Sequence, residues 1–272
     1  MGLRVNTNVA AINASRVLRR STLSLNRSLE RLSSGLRINR AADDAAGLAI
    51  AEGLRSLIVG SRVAQRNAQD GISLVQTAEG ALQETTNALQ RIRELAVQAA
   101  NGTNSEANRA ALDAEVSQLL DQIEDIALDT EFNGIFILSA PQTITLQAGP
   151  RVSQVLSIAV TGAKTTDLNI SAVQVSSMAL AVSAISTIDN ALQSVTRLRS
   201  RLGAVQNRLD FTISTLAIQE ENTSASESVI RDADIAKETV AFTRNQILVS
   251  AGTSVLAQAN IIPQTALQLL GG

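Results

Sequence analysis

Cysteine, histidine, tryptophan and tyrosine are all absent from this sequence of 272 residues, and phenylalanine occurs only four times. Without cysteine the chain can form no disulfide and offers no thiolate as a nucleophile or zinc ligand. Without histidine it lacks the side chain that most often acts as general base or metal ligand. Carboxylate pairs such as Glu220 and Glu221 remain, but no glycine-rich phosphate loop or metal-spaced cluster accompanies them. We therefore expect a protein that is not an enzyme and binds no cofactor.

Basic residues are concentrated at the N-terminus, although the whole chain carries a net charge of -2. The first forty residues hold eight arginines against one acid, Glu30, and therefore carry a charge of +7. A basic arm can bind nucleic acid or an anionic membrane, but no aromatic side chain stands among these arginines to stack on bases. We expect these arginines to form a helical stripe that is solvated or faces a partner, and we expect no binding of nucleic acid. The acidic remainder of neighbouring copies of the chain is the expected partner.

The N-terminal sequence contains no continuous apolar run and so does not have the pattern of a secretory signal peptide. Apolar stretches elsewhere fall short of the roughly eighteen residues that indicate a membrane span. We expect no membrane insertion. If the chain leaves the cell, we expect it to use a route that needs no cleaved signal.

An N-terminal helix is predicted by leucines at coiled-coil spacing. The Ser-Ser-Gly sequence at 33–35 interrupts the pattern and predicts the end of this helix. One row of leucines repeats every seven residues, and a second row follows the companion phase of the same seam. The rows are Leu18, Leu25 and Leu32, and Leu29 and Leu36.

A long second helix is predicted between a pair of carboxylates and an Asn-Gly sequence. Asp43 and Asp44 can accept the free N–H groups of its first turn, and Gly102 can end it in the left-handed C-cap conformation. In between, apolar residues recur at four and three residues, as in a helix packed in a bundle. A third helix with this spacing follows at 112–126, and the short connection predicts an antiparallel neighbour. The row of the second helix is Ala64, Ala68, Gly71, Val75, Ala78, Leu82, Thr85, Leu89, Ile92, Ala96 and Ala99.

One small β-hairpin is predicted in the middle of the chain. Strand-like runs at 143–146 and 155–160 flank Gly149 and Pro150, a pair typical of turns. Helical spacing resumes at Ala181 and continues to Leu216. The predicted fold class is therefore mostly α, with long coiled-coil-like helices from both chain ends packed as a rod and one small β-hairpin region near 135–170.

The C-terminal helix is predicted to be apolar on every side. No charged residue follows Arg244, while Pro263 and several amides interrupt any membrane span. At 100° per residue the three apolar rows lie roughly 120° apart, so no face is polar. A chain of this size has little with which to cover such a helix, and we expect other copies of the chain to cover it. The rows are Ile235, Phe242, Val249 and Leu256; Ile247, Ser254 and Ile261; and Leu248, Val255, Ile262 and Leu269.

Several blocks of this sequence resemble the signature sequences of bacterial flagellins. The blocks are VNTNVAA at 5–11, SSGLRIN at 33–39, ADDAAGLAI at 42–50, LQRIRELAVQ at 89–98, EFNG at 131–134, IRDADIA at 230–236 and AGTSVLAQAN at 251–260. They stand in the family's order and cover nearly the whole chain. The resemblance implies a secreted, extracellular structural subunit that polymerises into the bacterial flagellar filament and serves swimming motility.

The resemblance also implies how the chain divides. Residues 1–42 and 230–272 are expected to form the two halves of an inner filament-core domain around a narrow channel. Residues 43–229 are expected to form a rod-like outer-core domain, and the large outer domains of many flagellins look absent, which implies a thin, smooth filament. The residues expected to pack subunits together are Leu18, Leu25, Leu29, Leu32, Ile235, Phe242, Val249 and Leu256.

The partners implied by the resemblance are other copies of the chain, a flagellar export chaperone, and the hook-associated and cap proteins. The chaperone is expected to hold the apolar faces at about 235–270 before export. The subunit is expected to travel unfolded through the growing tube and to fold at its tip. Both chain ends are expected to be disordered in the free monomer, because their apolar faces lack a partner until assembly.

In many flagellins the block at 90–95 is recognised by the animal Toll-like receptor for flagellin. Carried over to this sequence, that surface comprises Gln90, Arg91, Leu95 and Glu115. A plain i,i+3 ion pair between Arg91 and Glu94 on a solvated face would explain the same charges without a receptor.

Three alternatives come from other classes of flagellar protein. A flagellin-like junction protein between hook and filament is the runner-up, and the blocks at 89–98 and 251–260 favour the main subunit. A surface adhesin or carbohydrate-binding homologue would be expected to carry an aromatic-rich insert, and the chain has neither tryptophan nor tyrosine. A filament with a metalloprotease insert would need the histidines that this sequence lacks.

Overall fold

The computed structural model describes residues 7–270, and for residues 262–264 and 266–270 it describes the backbone alone. Within that range the chain forms five helices and two short antiparallel strand pairs, which confirms the mostly α fold class. In chain order the elements are α1 (Val9–Ser34), α2 (Ala45–Ala99), α3 (Glu106–Asp129), β1 (Glu131–Phe132), β2 (Ile135–Phe136), β3 (Gln142–Gln147), β4 (Val155–Val160), α4 (Met178–Arg231) and α5 (Ile235–Leu270).

The described residues fall into two compact units. One unit holds the chain up to Ser56 and from Asn222 onward, and includes α1 and α5. The other unit is Leu57–Glu221 and includes α3 and both strand pairs, while α2 and α4 contribute to both units. The predicted boundaries at 43 and 229 concern layers of a filament, and that assignment stays a prediction. Residues 1–6 and 271–272 of the predicted inner domain lie outside the described range.

The core of the Leu57–Glu221 unit combines narrow apolar stripes of three helices with buried residues of β4 and the segment after it, such as Ile158 and Ile170. Every position of the row predicted on α2, from Ala64 to Ala99, is buried. Helix α3 contributes Val116 and Ile123 to the same core. Helix α4 contributes a row that repeats every seven residues: Ile188, Val195, Leu202 and Leu209. The heptad spacing read from the sequence therefore identifies the buried faces of these helices.

The two carboxylates before α2 have different roles. Asp44 caps the helix as predicted, because its Oδ1 accepts from the backbone N–H of Gly47 at 2.8 Å. Asp43 instead holds the preceding loop, where its Oδ2 accepts from the N–H groups of Arg40 (3.1 Å) and Asn39 (3.3 Å). These bonds, above all that from Arg40, lower the pKa of Asp43 below its usual value. Only one of the pair is therefore a helix cap.

The end of α2 differs from the prediction. The helix ends at Ala99, and Gly102 does not take the left-handed conformation that was expected of it. Side chains satisfy the final carbonyl groups instead: Arg109 Nε donates to the carbonyl of Ala99 at 2.8 Å, and Asn104 Nδ2 donates to that of Gln98 at 2.6 Å. Since these bonds satisfy the carbonyls of Gln98 and Ala99, the helix ends here without a glycine cap.

The strand region contains two antiparallel pairs, so the prediction of one hairpin is incomplete. The predicted hairpin is present, with β3 paired to β4 and Leu146 opposite Leu156. The additional pair, β1 with β2, is joined by Asn133 and Gly134, whose φ angles are 51° and 77°. Positive φ at both central residues is the requirement of a tight two-residue hairpin turn, and Asn-Gly meets it.

The segment between β4 and α4 is held to α3 by two carboxylates. A carboxylate oxygen of Glu124 accepts from the backbone N–H of Thr165 at 2.9 Å and from its hydroxyl at 2.6 Å. Asp113 accepts from the backbone N–H of Val175 at 2.6 Å. The hydroxyl of Thr165 is the main reason that the pKa of Glu124 lies below its usual value. Irregular backbone is thereby satisfied without a strand partner.

Candidate subunit interface

Helices α1 and α5 pack against each other along one stripe of each helix. The stripe positions recur at three and four residues, which is the spacing of a coiled-coil seam. On α1 the central positions of the seam alternate leucine with serine, so two of these five positions are small and polar. The buried and half-buried positions are Ala11, Ala14, Leu18, Ser21, Leu25, Ser28 and Leu32 on α1, and Glu238, Phe242, Asn245, Val249, Gly252, Leu256 and Ala259 on α5.

Contacts at both ends and in the middle fix the direction and register of this pair. Arg31 and Glu238 form an ion pair at 3.7 Å. Further along, a Cβ at Gly252 would lie 3.2 Å from Leu18 Cδ1. At the far end Asn8 Nδ2 donates to the carbonyl of Ala259 at 2.7 Å. The partner positions move backward along α5 as α1 is followed toward its C-terminus, so the helices are antiparallel.

The remaining faces of α5 are uncovered. Two further apolar rows carry large side chains that stay about half exposed: Val240 (61%), Ile247 (63%), Leu248 (46%) and Val255 (58%). Burial of each such side chain stabilises a complex by roughly 1.5–3 kcal/mol. No helix in the described part of the chain, α5 included, is long and apolar enough to cross a membrane. The exposure and size of these side chains are typical of a protein–protein interface.

The two connections that lead into α1 and α5 are joined to each other. The backbone N–H of Arg37 donates to the carbonyl of Arg231 at 2.7 Å, and that of Ala233 donates to the carbonyl of Gly35 at 2.9 Å. Arg37 Nε also donates to the carbonyl of Ile230 at 3.2 Å. Arg231 in turn pairs with Glu52 at 2.9 Å. The ends of α1 and α5 that face these connections are thus held side by side.

The predicted packing residues divide into two sets. Six lie half buried on the α1–α5 seam: Leu18, Leu25, Leu32, Phe242, Val249 and Leu256. Leu29 and Ile235 are 56% and 50% exposed and lie outside it. The companion row of the α1 seam is therefore not Leu29 and Leu36, as the leucine pattern suggested, but Ser21 and Ser28, which are seven residues apart and buried.

Arg91 is the centre of an exposed charge cluster on α2 and α3. Arg91 Nε and Nη2 donate to Glu115 Oε1 at 2.9 and 2.8 Å, and Arg91 Nη1 donates to Glu94 Oε2 at 3.1 Å. The hydrogen bonds to Glu115 and then Glu94 raise the pKa of Arg91 above its ordinary value. Gln90 is exposed beside it. Both the ion pair with Glu94 and the juxtaposition of Arg91 with Glu115 are therefore present.

Leu95 does not share that surface. Its side chain is 1% exposed and belongs to the hydrophobic core, because it falls on the inward face of α2 beside Ala96. Of the four residues predicted for receptor recognition, Gln90, Arg91 and Glu115 are exposed at the surface.

Comparisons with known proteins identify the family of this chain. Residues 5–143 match the family description "Bacterial flagellin N-terminal helical region", and residues 185–270 match "Bacterial flagellin C-terminal helical region". The chain belongs to the bacterial flagellin family. As a flagellin it is a structural subunit of the flagellar filament, an extracellular structure.

Relatives of similar length support this assignment. A flagellin of Halalkalibacterium halodurans is 47% identical over 269 residues, which cover 98% of this flagellin and 99% of the relative. The flagellar filament 31.3 kDa core protein of Treponema maltophilum is 44% identical over 283 aligned positions, with the same coverage of both chains. A solved structure described as a flagellar hook-associated protein from Vibrio parahaemolyticus shares the fold, with a TM-score of 0.59 and 14% identity over 70% of this flagellin and 99% of that chain.

Proposed function

We propose that this flagellin polymerises through its terminal helix pair, and that neighbouring copies cover the exposed rows of α5. The observation that carries the proposal is the exposure of Val240, Ile247, Leu248 and Val255 on a helix whose described part has no charge after Arg244. A helix that is apolar all round is stable only when it is buried on all sides. The pairing with α1 covers one side, so the rest requires other subunits.

The terminal helices order when the subunit is incorporated. Their seam contains Ser21, Ser28, Asn245 and Gly252 among its central positions, so the pair buries less apolar surface than a leucine seam and offsets less of the entropy of ordering. The subunit is exported unfolded through the growing tube and folds at its tip. The absence of cysteine suits that route, because a reactive thiol could crosslink chains in transit.

In the filament, residues 1–42 and 230–272 form the inner wall around the channel, and residues 43–229 form the surrounding layer. The leucine and apolar rows support this arrangement, because the most apolar helix would occupy the most enclosed position. Before export, a chaperone holds the apolar rows of α5 in the region 235–270. Hook-associated and cap proteins meet the two ends of the polymer, and the surface of the filament is smooth because the chain has no large insert between β4 and α4.

Elongation of sheared filament seeds, followed by electron microscopy, tests the central proposal. The full chain is compared with Ile247→Asp, which places a charge on an uncovered row of α5. Val152→Asp is the matched control, because Val152 is 95% exposed in the turn between β3 and β4. We expect the unmodified chain and the control to elongate seeds and Ile247→Asp to fail. If the unmodified chain caps seeds without elongating them, the junction-protein alternative replaces the filament subunit.

Shed monomers present the Arg91 surface to a host receptor. The support is the family pattern together with the geometry at Gln90, Arg91 and Glu115. Arg91→Ala should lower signalling by the Toll-like receptor for flagellin, whereas Arg62→Ala should not. Arg62 is a suitable control because it is a similarly exposed arginine of α2 that forms an ion pair with Glu220 at 2.6 Å and lies outside the block at 90–95. Equal signalling by both variants and the unmodified monomer would contradict receptor recognition at this surface.

A further inference from the structure

A basic stripe runs along the exposed side of α4 in the Leu57–Glu221 unit. Arg197, Arg201 and Arg208 are all exposed, and at 100° per residue they lie within about 40° of one another over roughly 16 Å of helix. In the part of the chain that the structure describes, Arg201 and Arg208 have no side-chain partner, and Arg197 donates only to the hydroxyl of Ser194 at 3.2 Å. Asp167 lines the same depression as Arg197 and Arg201 but forms no ion pair with them.

An acidic stripe of similar length runs along α3 in the same unit. Asp121, Asp125 and Asp129 are exposed and span about 12 Å of helix on one side, because residues four apart share a helix face. Among the described residues, none of these three carboxylates has a hydrogen-bond or ion-pair partner. Helix α3 as a whole carries seven acids and one base, Arg109, so it presents a strongly negative surface.

Both stripes border grooves with apolar surface. Asp125 and Asp129 line a groove of about 720 Å³ between α2 and α3, whose walls include Leu119 and Ile126. Arg208 lines a groove of about 530 Å³ between α4 and the β3–β4 turn, beside Phe211. Phe211 is 74% exposed. Protein–protein interfaces commonly have an apolar centre and a polar rim. A charged stripe beside an exposed apolar groove has this composition.

We propose that the basic stripe of α4 (Arg197, Arg201, Arg208) in one subunit docks on the acidic stripe of α3 (Asp121, Asp125, Asp129) in a second copy of this chain. The two stripes are comparable in length, about 16 and 12 Å, and opposite in charge, and among the described residues neither stripe forms an ion pair. Because they are different patches of the same unit, their contact is heterologous. Such a contact leaves one free patch of each kind after every addition, and it therefore builds a polymer, open unless the rotation between copies closes it into a ring, rather than a two-fold dimer.

This proposal rests on polymerisation of the chain and names a second contact, separate from the α5 rows, that would set the register between copies. Electrostatic pairs of this kind contribute mainly to association rate and to register, since like charges brought into register repel. Elongation of seeds should therefore be sensitive to the sign of the charges and not merely to the presence of side chains at these positions.

Charge reversal on each stripe tests the proposal in the full chain. The α4 variant is Arg201→Glu with Arg208→Glu, and the α3 variant is Asp121→Arg with Asp125→Arg. A swap variant carries all four changes. The matched control, Arg55→Glu with Arg66→Glu, reverses two exposed arginines of α2 that belong to neither stripe and changes the net charge by the same amount as the α4 variant. The helical circular dichroism of each monomer is recorded first.

We expect the α4 and α3 variants each to elongate seeds at least about ten-fold more slowly than the unmodified chain, because each then opposes like charges. The swap variant should recover to within about three-fold, and an equal mixture of the α4 and α3 variants should elongate better than either alone. A swap variant no better than the single-stripe variants would overturn the docking, as would a control that slows equally. Failure of the unmodified chain to elongate would instead overturn polymerisation itself.

Discussion

Truncation of Leu95 separates its role in folding from the role that family resemblance gives it at the surface. The side chain is 1% exposed and packs in the core of the Leu57–Glu221 unit. Leu95→Ala removes three heavy atoms from a site with no solvent, so it loses transfer free energy and leaves a cavity. We expect the free energy of unfolding of this unit to fall by about 2–5 kcal/mol.

The same change gives a melting temperature lower by several degrees, since about 1 kcal/mol shifts a domain of this size by roughly 2–4 °C. Arg91→Ala is the natural comparison, because its ion pairs with Glu94 and Glu115 are exposed to solvent and contribute little to stability. The assay is urea and thermal unfolding of the monomers, followed by circular dichroism at 222 nm. Loss of less than about 1 kcal/mol at Leu95 would refute its burial, and with it the placement of this face of α2.

Other predictions concern particular bonds. Glu124→Gln should lower stability at neutral pH by about 1–2 kcal/mol through weaker bonds to Thr165. Because the folded pKa of Glu124 is depressed, the unmodified chain holds this contribution above pH 4.5 and loses it as the pH falls through the folded pKa, so acid titrations of the two chains should converge at low pH. Asp44→Ala should cost about 1 kcal/mol in urea unfolding, whereas Asp44→Asn should retain most of the cap. Gly134→Ala should cost about 1 kcal/mol because φ is 77° there, and equal stability would show that the turn can relax.

The heptad rows could be predicted because burial in long helices follows a single period. Every residue of the α2 row from Ala64 to Ala99 is buried as the spacing indicated. On α5 the row of Phe242, Val249 and Leu256 lies against α1, whereas Ile247, Leu248 and Val255 of the other rows are exposed, and the sequence did not predict which row meets α1. In such helices each residue's environment is fixed mainly by its angle around the axis.

The misplaced features depend on tertiary contacts that no local pattern specifies. The leucine pattern predicted Leu29 as a seam residue, but Ser21 and Ser28 of α1 are the buried positions that face α5. The seven-residue spacing of these two serines was the signal in the sequence that could have identified them. Gly102 suggested a cap that Arg109 supplies from the next helix. The β1–β2 pair did carry a local signal, because Asn-Gly between short apolar runs favours a two-residue hairpin.

The candidate interface likewise has features that the sequence predicts and features that it does not. Exposure of the apolar rows of α5 follows from the sequence, because the chain has only one other terminal helix with which to cover them. The burial of Leu95 and the bonds of Arg37 to Ile230 and Arg231 required the structure. Contacts of that kind join residues almost two hundred positions apart, and sequence periodicity carries no information at that range.

Hydrogen exchange across α1 and α5, measured on free monomer and on filament, tests the central claim most directly. Backbone amides from Val249 to Leu256 should exchange rapidly in the monomer and become strongly protected in the filament, because neighbouring copies then cover the apolar rows and hold the helix. Amides of the α2 core near Leu82 and Leu89 serve as the internal reference and should be protected in both states. Strong protection of residues 249–256 already in the monomer, or none gained in the filament, would contradict the account.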